Sequence, residues 1–282
     1  MSGIQPCSGA TACRARLRVL GNFELRFDVG ADTAPLLAAD ERRLLAALAV
    51  APAPRTKSEL AALLWPTLPR DTALGTLAGV RDSLAELVEE NDQLLGLAKT
   101  VEVDLADALA RLRGWQRDPF GARPEALEEL VELLSHDLLA GWTEPWARQE
   151  RDRFERVRLH ALDSLCCQFT AIGQHQGAIR AGALVVDAEP LREDARRHLI
   201  EAHLAAGNVS EAVHQYESFV QTCSKVGLVP GAELSAFFPP TPAWPVLHVR
   251  RPVNTGGAVG RGLRLDGPVR HNTVGAGTVA RG

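Results

Sequence analysis

The sequence predicts a mostly α fold in two parts: a mixed α+β region first, then an all-α region. Three observations carry this. Hydrophobic residues make up 46% of the 282 but aromatics only 5%, and Ala and Leu dominate, which favours packed helices over a β-sandwich. Apolar residues alternate with polar ones near the N-terminus, then recur at spacings of three and four further on. Leu165 and Leu199, Gly173 and Gly207, and Ala178 and Ala212 are each 34 residues apart, which marks an internal helical repeat.

Taken in order, Leu17, Val19, Phe23, Leu25 and Phe27 are separated by polar residues and interrupted at Gly21-Asn22. They predict two short strands joined by a turn. Asp40 precedes ERRLLAALAV and is expected to cap a first helix, which Pro52 and Pro54 end. Ser58 is expected to cap a second, ELAALLW, ended by Pro66 and Pro69. A third is expected from Asp71 to Glu90, with Leu77, Val80, Leu84 and Leu87 as its buried stripe. QLLGLAKTVEVD has β-branched residues around Ala98-Lys99 and predicts a small hairpin. Strands, three helices and a hairpin outline a winged helix-turn-helix over residues 16–104. Its third helix would be offered to DNA, with the hairpin as the wing.

Residues 105–238 read as helical throughout, punctuated by Gly173, Gly207, Gly227, Pro190 and Pro230. A 34-residue helix-turn-helix unit with a turn Gly and a small Ala at the helix crossing is the tetratricopeptide pattern. Residues 1–15 are short, Gly/Ser/Ala-rich and expected to be a disordered leader. Residues 239–282 hold 8 of the 24 Gly and 6 of the 17 Pro with no apolar period, and are expected to be a disordered tail. Two origins for that tail stay open. Its composition is what a high-GC gene read out of frame would give. Alternatively, Arg250, Arg251, Arg261, Arg264, Arg270 and Arg281 form a basic arm.

Charge and cysteine content narrow the function classes. Net charge is −4, with six Arg against one Asp in residues 239–282 and hence 25 bases against 34 acids before them. That is not the footprint of a strongly basic nucleic-acid binder. No apolar run reaches membrane-spanning length and no secretory leader is visible, so no membrane partner is expected. Five Cys (7, 13, 166, 167 and 223) without a C-x-x-C fit neither a disulfide framework nor a zinc site, and suit a reducing cytoplasm.

Chemistry-bearing residues are sparse. With the stripe of the third helix inward, Gly75, Thr76, Gly79, Asp82, Ser83 and Glu86 lie outward. DNA binding needs cations against phosphate and long donors against base edges. The candidate DNA-contacting set is Lys57 before the second helix, Arg70, Thr72, Thr76, Arg81 and Ser83 on or near the third, and Lys99 in the hairpin. Asp82 and Glu86 would repel phosphate. His160, Cys166 and Cys167 share a helix, but only Cys167 falls on the His160 face, two turns or about 11 Å away, too far for a nucleophile and its base. No catalytic, metal or cofactor site is expected, so an enzyme is not. The run RQERDRFERVR (148–158) is expected to be a solvated, ion-paired helix face. Trp115, Trp142 and Trp146 are expected to pack in the core or at the joint between the two parts.

LRVLGNFEL, SELAALLWPTLPRDTAL, ERDRFERVRLHALDSL, PLREDARRHLIEAHLAAGNVSEAVHQYESF and GLVPGAEL carry a resemblance over residues 16–238. In them the chain resembles the bacterial transcriptional activator domain (BTAD) regulators of the antibiotic-regulatory-protein type. In that family a winged helix precedes a tetratricopeptide-like helical domain. The resemblance implies sequence-specific DNA binding and control of transcription initiation. It also implies DNA as partner, with RNA polymerase or a second copy of the chain as protein partners. Two features depart from the family: TALGTLAGVRDSLAELVEE has one Arg where relatives show several, and there is no G-x-x-x-x-G-K-[ST] phosphate loop. The thin charge of the third helix keeps a second expectation open, a protein-interaction module derived from such a regulator with weak or lost DNA binding.

Overall fold

The computed structural model describes residues 14–28 and 36–238. Residues 1–13 of the expected leader and all of the expected tail, 239–282, lie outside the described residues. Strands β1 (Ala15–Arg18) and β2 (Glu24–Phe27) pair antiparallel with Leu17 opposite Leu25. Gly21 sits between them at φ +82°, a conformation that suits a residue without Cβ. The free edge of β1 takes a third strand, β6 (Val101–Val103), in parallel.

Helices α1 (Ala39–Ala49), α2 (Lys57–Leu64) and α3 (Arg70–Ser83) follow, with the two-residue strand β3 (Arg55–Thr56) before α2. The caps differ from those expected. Asp40 lies inside the first turn of α1, where it accepts the indole N–H of Trp65 and pairs with Arg43. The α1 entry is closed by Glu41, which accepts the Ala38 N–H at 2.8 Å. At α2, Thr56 rather than Ser58 is the cap. Its hydroxyl accepts the Glu59 N–H while Glu59 accepts the Thr56 N–H, a reciprocal capping box in T-K-S-E.

Helix α3 stops at Ser83, a full two turns short of the expected end. The Ser83 hydroxyl donates to the Val80 carbonyl, and the Leu84 N–H turns back to Arg81. Leu84 and Leu87 are still buried, but from the connection after the helix. Glu86 is therefore not on α3. The chain then forms β4 (Val88–Asn91) and β5 (Leu94–Leu97), an antiparallel hairpin turning at Asp92-Gln93, with Asp92 at φ +53°. The expected turn at Ala98-Lys99 is instead the step from β5 to β6, which joins the other sheet. The second sheet has the order β3-β5-β4. Two strands, three helices and a hairpin give the winged helix-turn-helix arrangement.

Everything after β6 is helical: α4 (Asp104–Arg117), α5 (Pro124–Leu134), α6 (Pro145–Ala171), α7 (His175–Ala188), α8 (Glu193–Ala205), α9 (Val209–Lys225) and the short α10 (Ala232–Ser235). Successive helices from α6 to α9 pack on one another. The repeat has a visible cause. Gly173 (φ +75°) ends α6 and Gly207 (φ +77°) ends α8 in the same way. In both, the N–H two residues past the C-cap returns to the carbonyl of the last turn: Gln174 to Phe169, and Asn208 to His203. Ala178 and Ala212, one period apart, are both fully buried.

The two parts are joined by hydrogen bonds rather than by a loose linker. Asp104, the first residue of α4, accepts the N–H groups of Val19 (2.9 Å), Leu20 (3.0 Å) and Leu105 (2.8 Å). Burial still pushes its pKa above the usual carboxylate value. The Leu139 N–H reaches the Val19 carbonyl at 2.8 Å. Arg151 donates to the carbonyls of Leu138, Leu139 and Trp142, and Arg158, only 6% exposed, to those of Leu134 and Ser135 and to Asp137. The run 148–158 is thus not simply a solvated face. Two of its arginines hold the segment 134–142, against which Val19, Leu20 and Gly21, just after β1, dock. Trp142 and Trp146 meet edge-on at 5.8 Å beside Phe23, with Arg42 over the rings of Phe23 and Trp142. Trp115 donates instead to Gln168. Among the described residues no helix is long and apolar enough to cross a membrane.

Candidate nucleic-acid interface

The capping box at Thr56 fixes where α2 begins and so places Lys57 on its first turn, where the Lys57 N–H also bonds the Gln93 carbonyl of the hairpin turn. Arg43 reaches from α1 to the Leu64 carbonyl and holds the far end of α2. The turn Pro66–Pro69 then launches α3, whose Ala73 and Leu77 are buried. This aims the opposite side of α3 outward, with Asp71, Thr72, Gly75, Gly79, Asp82 and Ser83 exposed.

The structure brings three of the seven sequence-predicted residues together. Lys57, Arg70 and Arg81 line one cleft of about 350 Å³, floored by Leu74 and Leu77. Arg70 donates to the Ser58 hydroxyl at 3.0 Å. Arg81 meets Glu90 at 2.9 Å and Asp82 at 2.8 Å. Lys57 is paired with the same Glu90. The Lys57 hydrogen bond and the nearby Arg81 charge hold the Glu90 carboxyl below its usual pKa.

The other four are dispersed. Thr72 is exposed on the first turn of α3. The Thr76 hydroxyl donates to the Thr72 carbonyl, and that of Ser83 to the Val80 carbonyl, so their protons are used within the helix. Lys99 is exposed beyond β5, with its backbone N–H at 3.4 Å from Glu89, and is not in the hairpin turn. Glu90 was not among the predicted residues. A helix running to residue 90 hid it; on strand β4 it faces both cations.

The balance of charge is acidic. Residues 57–99 hold seven carboxylates (Glu59, Asp71, Asp82, Glu86, Glu89, Glu90 and Asp92) against four cations (Lys57, Arg70, Arg81 and Lys99). Bound phosphate would be held by few groups here.

A second polar cluster lies far along the chain. Asp163 of α6 receives His198 Nδ1 of α8 at 2.7 Å and Arg192 at 2.9 Å. The hydrogen bond to Asp163, then contact with Cys167, raises the His198 pKa to about 10. Burial works against the Asp163 carboxylate, yet His198 and Arg192 bring its pKa below normal. The imidazole beside Cys167 is that of His198, from the next helical hairpin. Cys166 is buried under Gly182, and desolvation pushes its thiol up to about 12, which suits a packing residue.

The described residues thus hold a winged helix-turn-helix arrangement fastened to a helical repeat region. Residues 103–238 match the family model of the bacterial transcriptional activator domain. A solved structure of Mycobacterium tuberculosis EmbR in complex with a low-affinity phosphopeptide is similar at TM-score 0.60 and 18% identity, covering 79% of this chain and 64% of that one. At that identity the likeness establishes the fold, and the chain spans less than two thirds of that structure. No curated protein matches the chain.

Proposed function

We propose that the protein is a DNA-binding transcriptional regulator that presents α3 and the β4–β5 hairpin to duplex DNA and acts without catalysis. One observation carries this reading: Lys57, Arg70 and Arg81 converge on one cleft beside the exposed face of α3. A backbone phosphate needs such a cluster of cations at the edge of a groove-reading helix. Thr72 offers a hydroxyl donor to base edges, the Thr76 and Ser83 oxygens can only accept there, and Lys99 adds a phosphate contact at the flank. The helical region is then left for protein partners, RNA polymerase or a second copy of this chain. The cytoplasm, where the DNA is, is the compartment that follows. A gel-shift titration against the DNA upstream of the gene tests it, at low and at moderate salt. Wild type should shift the duplex and the variant K57A/R70A/R81A should not.

The surplus of carboxylates around this face favours a second reading, a protein-interaction module derived from such a regulator. On that reading wild type and triple variant behave alike in the same titration.

A further inference from the structure

Glu90 is placed where a DNA phosphate would have to go. It projects from strand β4 of the hairpin towards α2 and α3, and its carboxylate takes both Lys57, from the start of α2, and Arg81, from the last turn of α3. Those are two of the three cations lining the cleft, and the third, Arg70, meets a hydroxyl rather than a carboxylate. Its neighbour Glu89 behaves differently. Successive strand residues face opposite ways, and Glu89 lies near the backbone N–H of Lys99.

We propose that Glu90 is an intramolecular stand-in for phosphate, an autoinhibitory carboxylate that occupies Lys57 and Arg81 until DNA displaces it. The proposal rests on the DNA-binding reading above and sets how that site is regulated. A carboxylate and a phosphate offer the same kind of oxyanion to ammonium and guanidinium groups, so the two compete for them. Binding then requires exchanging the Lys57–Glu90 and Arg81–Glu90 pairs for phosphate contacts, with Arg81 keeping its second pair to Asp82. Duplex that fits α3 poorly cannot drive the exchange. The lock therefore costs general affinity and rewards a fitting site.

The lock also accounts for how Lys57 and Arg81 are held. Side chains this long lose much rotamer freedom on binding. Here both are already drawn towards one point by Glu90, so they are positioned as well as blocked. Removing the charge while keeping the shape should release the block.

The experiment is a double-mutant cycle on the full chain, read as anisotropy of a labelled duplex at low salt. E90Q is expected to bind about fivefold to tenfold tighter than wild type, because two cations are released to phosphate at once. E89Q removes the same charge one residue away and is expected to change affinity by less than about twofold. In the background K57A/R81A, E90Q is expected to bring no gain. An E90Q protein that stays folded by circular dichroism but binds like wild type, or more weakly, overturns the lock. So does an equal gain from E89Q, since general repulsion would then explain it. If neither wild type nor E90Q binds duplex, the DNA reading itself fails and the lock with it. If both bind but equally, only the lock fails.

Discussion

Replacing Asp104 with Ala should loosen the seam between the two parts. Its carboxylate accepts the N–H groups of Val19 and Leu20, residues that are 0% and 1% exposed, and of Leu105 at the start of α4. Ala would strand the first two donors where water cannot reach them. The Leu105 N–H sits at a helix end, where solvent can take over. Each stranded donor costs about 1–3 kcal/mol. Removing a carboxylate that is itself poorly solvated returns part of that, so the net loss is about 2–4 kcal/mol. Urea unfolding followed by far-UV circular dichroism measures it, and an unchanged denaturant slope would show that the folded and unfolded states are otherwise the same. A loss below about 0.5 kcal/mol, the scale of an ordinary surface change, would refute the assignment of Asp104 as the joint.

Four further outcomes are expected. Gly182→Val should cost about 2–3 kcal/mol in urea unfolding, because even a Cβ there would stand 3.0 Å from Cys166 Sγ and 3.2 Å from Leu199 Cδ1. Gly114→Ala, on the exposed side of α4 with nothing within 4 Å, should instead gain up to about 1 kcal/mol. The raised His198 pKa gives stability that is complete below the ordinary value of 6.5 and is lost as pH rises through about 10. The lead of wild type over His198→Gln in melting temperature should therefore shrink from pH 7 to pH 10. A constant lead would mean that the Asp163 pair does not hold the imidazolium. Asp82→Arg combined with Glu86→Arg should raise non-specific duplex affinity at low salt, as each replaces repulsion with attraction. Unchanged affinity would show that this face does not meet DNA.

What the sequence disclosed and what it hid differ by kind of interaction. The turns at Gly173 and Gly207 were visible because a left-handed helix end needs Gly, and the 34-residue period repeats that need. The alternation of Leu17, Val19 and Leu25 likewise showed the first sheet. The end of α3 was not visible. Leu84 and Leu87 keep the helical apolar spacing, and only the fold reveals that they are buried from a turn. That error moved the hairpin by several residues and paired β6 with the wrong neighbour. The α2 cap was expected at Ser58 and lies at Thr56, where the Glu three residues on completes a capping box. Of the site, Lys57, Arg70 and Arg81 were found as cations flanking a helix. The Glu90 bridge and the Asp163–His198 pair were not, since each joins residues of different elements that no local spacing connects.

The measurement that tests the central claim most directly is the salt dependence of duplex binding by the intact chain, beside Arg81→Ala. With about three to four phosphate contacts from Lys57, Arg70, Arg81 and Lys99, the slope of log affinity against log salt should be about −3 to −4. Arg81→Ala should weaken binding by about 1 kcal/mol or more and make the slope shallower by about one. A slope near about −8 with Arg81→Ala indistinguishable from wild type would place the DNA on another surface and contradict the account.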